Sequence, residues 1–208
     1  MASSLIIRTL PSPFLGTNGH LVLHPETACA VLVDAPAEIG CYVDDLLSRY
    51  QCQLKAVWLT HAHFDHVMGL TEIAADADIE IIIHRLEADL LRNPRLQPVP
   101  MPGLTGVTPT RTVDHMDTVQ LADLPFTVLH TPGHTPGGVC YHSAEQGVVF
   151  TGDTLFRGTI GRTDFPGGND TDMSRSLKLL AELPAETSVY PGHDRSTTIG
   201  AEPWLQRI

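Results

Sequence analysis

Short runs of apolar, β-branched residues alternate along the chain with stretches in which apolar residues return every third or fourth position. The first pattern marks buried or half-buried strands and the second marks amphipathic helices. "SLIIRTL", "HLVLH" and "CAVLVDA" give a strand meander over residues 4 to 35, with "GTNG" as a turn. "AEIGCYVDDLLSRY" places Ile39, Val43, Leu46, Leu47 and Tyr50 on one helical face, and "LKAVWL" follows as a buried strand. The order then repeats in kind, with "LTEIAADA" as helix, "IEIIIH" as strand and "RLEADLLRN" as helix. Five prolines and two glycines in residues 94 to 110 prevent regular structure over an unusually long connection, so this segment is either a lid or a passive linker. Beyond it, strands are expected near 117–121, 126–130, 138–142 and 147–151. An amphipathic helix in "TDMSRSLKLLAEL" and a last strand in "TSVYPGH" complete the order. These elements make two sheets with helices outside.

At 208 residues the chain suits one domain with a substantial core, since a domain of this size buries roughly 70% of its unfolded surface. A net charge of −11 works against broad phosphate attraction and so against a nucleic-acid role. Cys29, Cys41, Cys52 and Cys140 show no C-x-x-C spacing and are read as reduced, mostly buried thiols. No apolar run reaches the length of a membrane span, and the apolar stretch before Arg8 is too short for a signal peptide. The expectation is a soluble, cytoplasmic protein acting on a small molecule, with neither nucleic acid nor membrane as partner.

The chemistry concentrates in "THAHFDH", just after a strand. An extended backbone alternates faces with a period of two, so His61 and His63 point to the same side. Asp65 and His66 follow where the chain turns, and imidazole with carboxylate is the ordinary donor set of zinc and other borderline divalent ions. Three further candidates end apolar strands beside glycine: His134 in "HTPGHTPGG", Asp153 in "FTGDTLF" and His193 in "YPGHD". Seven donors exceed what one tetrahedral ion uses. Two ions sharing a carboxylate and a water can use them all, at separations of about 3.5–4 Å.

In that order, "THAHFDH", "HTPGHTPGG", "TGDTLF" and "YPGHD" resemble the metallo-β-lactamase superfamily. "FRGTIGRTDFPGG" and "TTIGAEP" resemble its short glyoxalase-II-like branch. The resemblance implies an α/β fold, the four-layer αβ/βα sandwich of two mixed sheets packed face to face with helices outside. It implies that His61, His63 and His134 hold one metal, that Asp65, His66 and His193 hold the other, and that Asp153 bridges them. Asp65 would also orient the hydroxide. Zinc is the expected ion, with iron or manganese as alternatives. Two cations lower the pKa of a shared water from 15.7 to roughly 7, and thioester hydrolysis suits such a site because a thiolate leaves with little help from an acid.

The implied activity is that of a thioesterase acting on S-D-lactoylglutathione or a related small thioester. A persulfide dioxygenase with one iron and a lactonase or β-lactamase-type hydrolase are the alternatives. Arg162 in the "GR" turn either engages a substrate carboxylate or pairs with Asp164. Full-length glyoxalase II carries a C-terminal helical domain and a tyrosine two residues after the last ligand histidine; Arg195 stands at that position here. The expectation is therefore a single domain over 1–208 without a separate glutathione-binding domain. Its open site should be bordered by the 94–110 loop, the 156–168 segment and the region near Trp204. "TTIG" at 197 to 200 either lends a hydroxyl to a ligand or caps a final turn. The histidines at 20, 24, 84, 115, 130 and 142 are assigned ordinary hydrogen-bonded or surface roles.

Overall fold

The computed structural model describes residues 5–75 and 78–208. The first half of the chain builds one six-stranded sheet. β1 (Ile6–Pro11), β2 (Asn18–His24) and β3 (Cys29–Val33) form the expected meander. α1 (Gly40–Tyr50) then crosses to β4 (Gln53–Trp58). The short helices α2 (Phe64–Val67) and α3 (Leu70–Ile73) lead to β5 (Glu80–His84), and a 3₁₀ turn with α4 (Ala88–Arg92) precedes β6 (Arg111–Val113). The strands lie in the order β1-β2-β3-β4-β5-β6, antiparallel up to β3 and parallel from β3 onward.

The second half builds the second sheet from β7 (Thr118–Leu121), β8 (Leu124–His130), β9 (Val139–Ser143) and β10 (Val148–Gly152). A two-stranded ribbon follows, β11 (Leu155–Phe156) with β12 (Thr159–Ile160). α5 (Asp170–Ala181), β13 (Ser188–Pro191) and β14 (Thr197–Thr198) complete the order β14-β13-β10-β9-β8-β7. β13 is parallel to β10 and the other pairs are antiparallel, so both sheets are mixed.

Alternation along the buried strands sorts their side chains into layers. Leu21, Leu23, Leu32 and Val57 face α1–α4 in an outer core with Ile39, Val43 and Leu70. Val22, Val31, Val33 and Trp58 face the second sheet and meet Phe126, Val128, Tyr141 and Phe150. On the far side of that sheet, Leu129, Val149 and Val189 pack on Met173, Leu177 and Leu180 of α5. Helix, sheet, sheet and helix make the four layers expected. Each large apolar side chain removed from water contributes about 1.5–3 kcal/mol. Trp58 joins the sheets through edge-on contact with Phe126 at 5.1 Å and through Tyr141 at 5.4 Å, measured between ring centroids.

Several boundaries differ from the sequence reading for local reasons. α1 starts three residues later than the apolar period suggests because Glu38 adopts a positive φ of 63° that a helix excludes. α3 stops at Ile73, and Ser4, Asp76 and Ala77, which the expected strand and helix included, lie outside the described residues. β6, the ribbon and β14 span two or three residues each, too few for a period to show. All four cysteines are free, but only Cys52 and Cys140 are buried; Cys41 is exposed on α1. Among the described residues no helix is long and apolar enough to cross a membrane.

Candidate metal centre

The seven expected donors converge where the strands of both sheets end. β4 delivers His61 and His63 through an extended segment, and α2 carries Asp65 and His66. His134 lies between β8 and β9, Asp153 follows β10, and His193 follows β13. Among the described residues, three sets bring ligand atoms within 4.8 Å of one another: His61 with His63 and His134, Asp65 with His66 and His193, and His61 with His66 and Asp153. Asp153 stands between the first two. Its Oδ1 is 3.2 Å from His66 Nε2, while its Oδ2 is 3.4 Å from His134 Nε2 and 3.6 Å from His193 Nε2. His193 Nε2 lies 3.3 Å from Asp65 Oδ2, and His63 Nδ1 lies 2.8 Å from His134 Nε2.

Glycine is required for this convergence. A Cβ on Gly192 would come within 2.4 Å of Asp153 Oδ1 and 2.6 Å of His66 Cε1. Gly152, at φ +47°, leaves no room beside Thr60 either.

A second ring of residues aims the donors. Asp34 follows β3 in the left-handed region at φ 59° and accepts a hydrogen bond from His66 Nδ1 at 2.8 Å. The amide and hydroxyl of Thr60 donate to the same carboxylate at 2.7 and 2.8 Å. Thr17 donates to Asp65 Oδ2 at 2.9 Å, and His134 Nδ1 donates to the Arg162 carbonyl at 2.7 Å. Buried Glu87 accepts from Ala62 N and Gly137 N, tying the first histidine loop to the second. Gln97 donates to Ala62 O and accepts from Phe64 N. The start of the 94–110 connection is thus a strut under the ligand loop.

None of these five side chains, Thr17, Asp34, Thr60, Glu87 and Gln97, stood out in the sequence. Asp34 carried one usable signal, an acid at the end of an apolar strand. Thr198, by contrast, caps the 3₁₀ turn at Ile199–Ala201, and Thr197 donates to Glu202, so the hydroxyls of "TTIG" hold this turn rather than a ligand.

The electrostatics suit cation binding. Burial holds His61 well below the ordinary histidine range, and burial with His134 pushes His63 down to about 3. Neutral imidazoles offer lone pairs. Burial opposes charge on His66 as well, but Asp153, Asp65 and Asp34 outweigh it and raise that group. Burial also opposes ionisation of Asp65 and Asp153, yet His66 foremost keeps both below the usual carboxylate range. His61 Nε2, His66 Nε2 and Asp153 Oδ1 are buried with no hydrogen-bond partner. Unpartnered buried polar atoms are costly, and the donor set around these three, imidazole with carboxylate, is one that divalent cations satisfy.

The rim is aromatic on two sides, with Phe165 edge-on to His63 at 5.9 Å and Phe156 edge-on to His193 at 5.8 Å. Arg162 makes the expected pair within its own turn. Its guanidinium makes a two-pronged pair with Asp164 at 2.6 and 2.8 Å and lies 3.8 Å over the Phe165 ring. Trp204 packs toward α5 and donates to Glu202. The wall beside His193 comes from the β1–β2 connection, where the sequence pattern predicts only a turn.

Residues 40–193 match the family described as Metallo-beta-lactamase superfamily, and the chain belongs to it. "Probable metallo-hydrolase YqgX" of Bacillus subtilis (strain 168) is 37% identical over 201 residues, covering 94% of this chain and 93% of that protein. Hydroxyacylglutathione hydrolase of Maricaulis maris (strain MCS10) is 33% identical over 196 residues, which cover 92% of this chain and 67% of that enzyme. Three solved structures are similar throughout. The B3 metallo-beta-lactamase BLEG-1 has a TM-score of 0.85 at 31% identity, covering 96% of this chain and 99% of its own. TTHA1623 in a di-iron-bound form gives 0.79 at 36%, with 95% and 96% covered. ETHE1 from Myxococcus xanthus gives 0.75 at 31%, with 94% and 80% covered.

Proposed function

We propose that this protein is a binuclear metallo-hydrolase that cleaves small thioesters, in the manner of a glyoxalase II. The observation that carries the reading is Asp153, whose two oxygens face donors from both outer sets of ligands. His61, His63 and His134 would hold one divalent cation, and Asp65, His66 and His193 the other, with Asp153 shared between them. Zinc is the ion we assign, and the di-iron form of TTHA1623 makes iron the alternative to test. When bound, such a pair supplies Lewis acidity for a carbonyl and makes water acidic enough to act near neutral pH.

The chain's own residues then set the reaction. Asp65, fixed by Thr17, orients the attacking water. Asp34 and Thr60 keep His66 and His61 aimed inward. Phe156 and Phe165 keep the reacting centre partly dry. Asp34, Asp65 and Asp153 are each engaged by hydrogen bonds or by facing histidines, and Asp65 and Asp153 are held ionised, so no carboxylic acid at the floor is ready to protonate a leaving group. A thiolate leaves without that proton, whereas the amine of an opened β-lactam requires one. Similarity to the Maricaulis maris hydroxyacylglutathione hydrolase supports S-D-lactoylglutathione as the first substrate to assay.

The test is metal content per chain together with turnover of S-D-lactoylglutathione and of a lactone and a β-lactam, and oxygen uptake with glutathione persulfide. Two metals and thioester cleavage are expected. One iron with oxygen uptake would replace this reading by that of a persulfide dioxygenase, and faster lactone or β-lactam opening would reassign the substrate.

A further inference from the structure

A cavity of about 790 Å³ opens beside the metal centre, with His193 in its wall. Pro11 and Leu15 give it an apolar side, and Asn18, Asp194 and Arg195 give it a polar one. Leu15 is 59% exposed and sits at φ 58° on the tip of the β1–β2 connection. A large apolar side chain held in water on a left-handed backbone is unfavourable twice over, and an apolar group in the adjoining cavity would relieve the first cost.

The opposite wall carries charge. Arg195 lines the cavity and is paired with no carboxylate among the described residues, unlike Arg162, which Asp164 already neutralises. Asp194 lines the same cavity, and no ion pair joins it to Arg195. Its backbone is fixed instead, because Asn18 Nδ2 donates to its carbonyl at 2.9 Å and to Pro191 O at 3.0 Å. The two residues that follow His193 are therefore presented as a rigid turn rather than a free tail.

We infer that this cavity is the substrate subsite and that Arg195 selects thioesters bearing a carboxylate on a short apolar stem, the stem lying against Leu15 and Pro11. The inference deepens the thioesterase reading and rests on it for the word substrate. The subsite itself rests only on the cavity and its unpaired guanidinium. In a chain with a net charge of −11 an anion is not drawn in by the overall field. A local planar donor must supply the recognition, and guanidinium holds carboxylate with two parallel bonds. Asp194 tempers it by like-charge repulsion.

The experiment measures equilibrium binding to the metal-loaded protein by calorimetry. The ligands are the ketone isostere of S-acetyl mercaptopropanoate, in which methylene replaces sulfur, and the carboxamide of the same compound. The parent should bind the acid about tenfold more tightly than the amide. Arg195→Ala should abolish that preference without changing amide binding, Arg195→Lys should keep part of it, and Arg162→Ala should keep it whole. Asp194→Asn should tighten the acid alone. Equal binding of acid and amide by the parent would overturn the inference, as would a preference that survives Arg195→Ala or one lost in Arg162→Ala. Leu15→Gly should weaken both ligands together, and an unchanged affinity would remove the stem from that wall. If neither S-acetyl mercaptopropanoate nor S-D-lactoylglutathione is hydrolysed while the Arg195-dependent preference persists, the thioesterase reading fails and the carboxylate subsite stands.

Discussion

Individual side chains in this centre divide into those that face inward with unpartnered atoms and those that hold them there. Asp153 and Asp65 are both carboxylates, but only Asp153 has oxygens toward both outer sets. Asp153→Ala is expected to lower bound metal to well under half of the parent's content, and Asp65→Ala to spare the ion at His61, His63 and His134. Elemental analysis after equilibrium dialysis reads the difference, and matching losses would argue against a shared carboxylate. Asp34 belongs to the holding group. Asp34→Ala should weaken metal binding by about ten- to a hundredfold, the usual cost of losing such a support, while Asp34→Asn, which still accepts from Thr60, should recover part of it. Competition with a chromogenic chelator measures both, and full affinity in the alanine variant would show that His66 needs no outside support.

At the scale of elements, the connection after α4 is divided in its role. Its beginning, through Gln97, braces the backbone around Ala62 and Phe64. Gln97→Ala should lower the stability of the metal-free protein by about 1–2 kcal/mol, since two hydrogen bonds to buried or half-buried backbone are lost. Thermal melts test this, and a melting point equal to the parent's would make the segment a passive linker. The contrast explains how much could be read from the chain beforehand. Strands such as β4 and β10 show as apolar runs, and the donors follow such strands in short motifs, so elements and candidate ligands were both visible. The bracing residues were not, because Asp34, Glu87 and Gln97 come from three separate elements and acquire a common role only once β3, the turn before α4 and the connection after it are stacked beside β4. Arg162 shows the same limit: its charge was legible, but its two-pronged pair with Asp164 and its stacking over Phe165 depend on how the turn folds.

For the whole molecule, contacts between the two sheets matter most. His20 of β2 donates through Nε2 to Pro191 O of β13 at 2.9 Å, while its Nδ1 is 3.1 Å from the Thr9 hydroxyl. Burial lowers its pKa from 6.5 to about 4, so the folded protein binds this proton less readily than the unfolded chain. The stabilising effect is complete above pH 6.5 and is lost as pH falls from there toward 4, by about 3 kcal/mol at most. Denaturation of the metal-free parent and of His20→Gln between those limits should show the parent losing the larger share, and parallel curves would sink the assignment. The division of labour between the two halves reaches further. The chain passes from one sheet to the other between Val113 and Thr118, with His61, His63, Asp65 and His66 before that point and His134, Asp153 and His193 after it. Neither half alone can complete either proposed ligand set, since His134 and His193 come from the second half and the other donors of each set from the first. The protein is in this sense a natural split reporter. Two polypeptides divided at Met116, produced together, should reassemble through the Trp58 and Phe126 layer only weakly in the presence of chelator and tightly when zinc is supplied, so that association itself becomes a readout of metal.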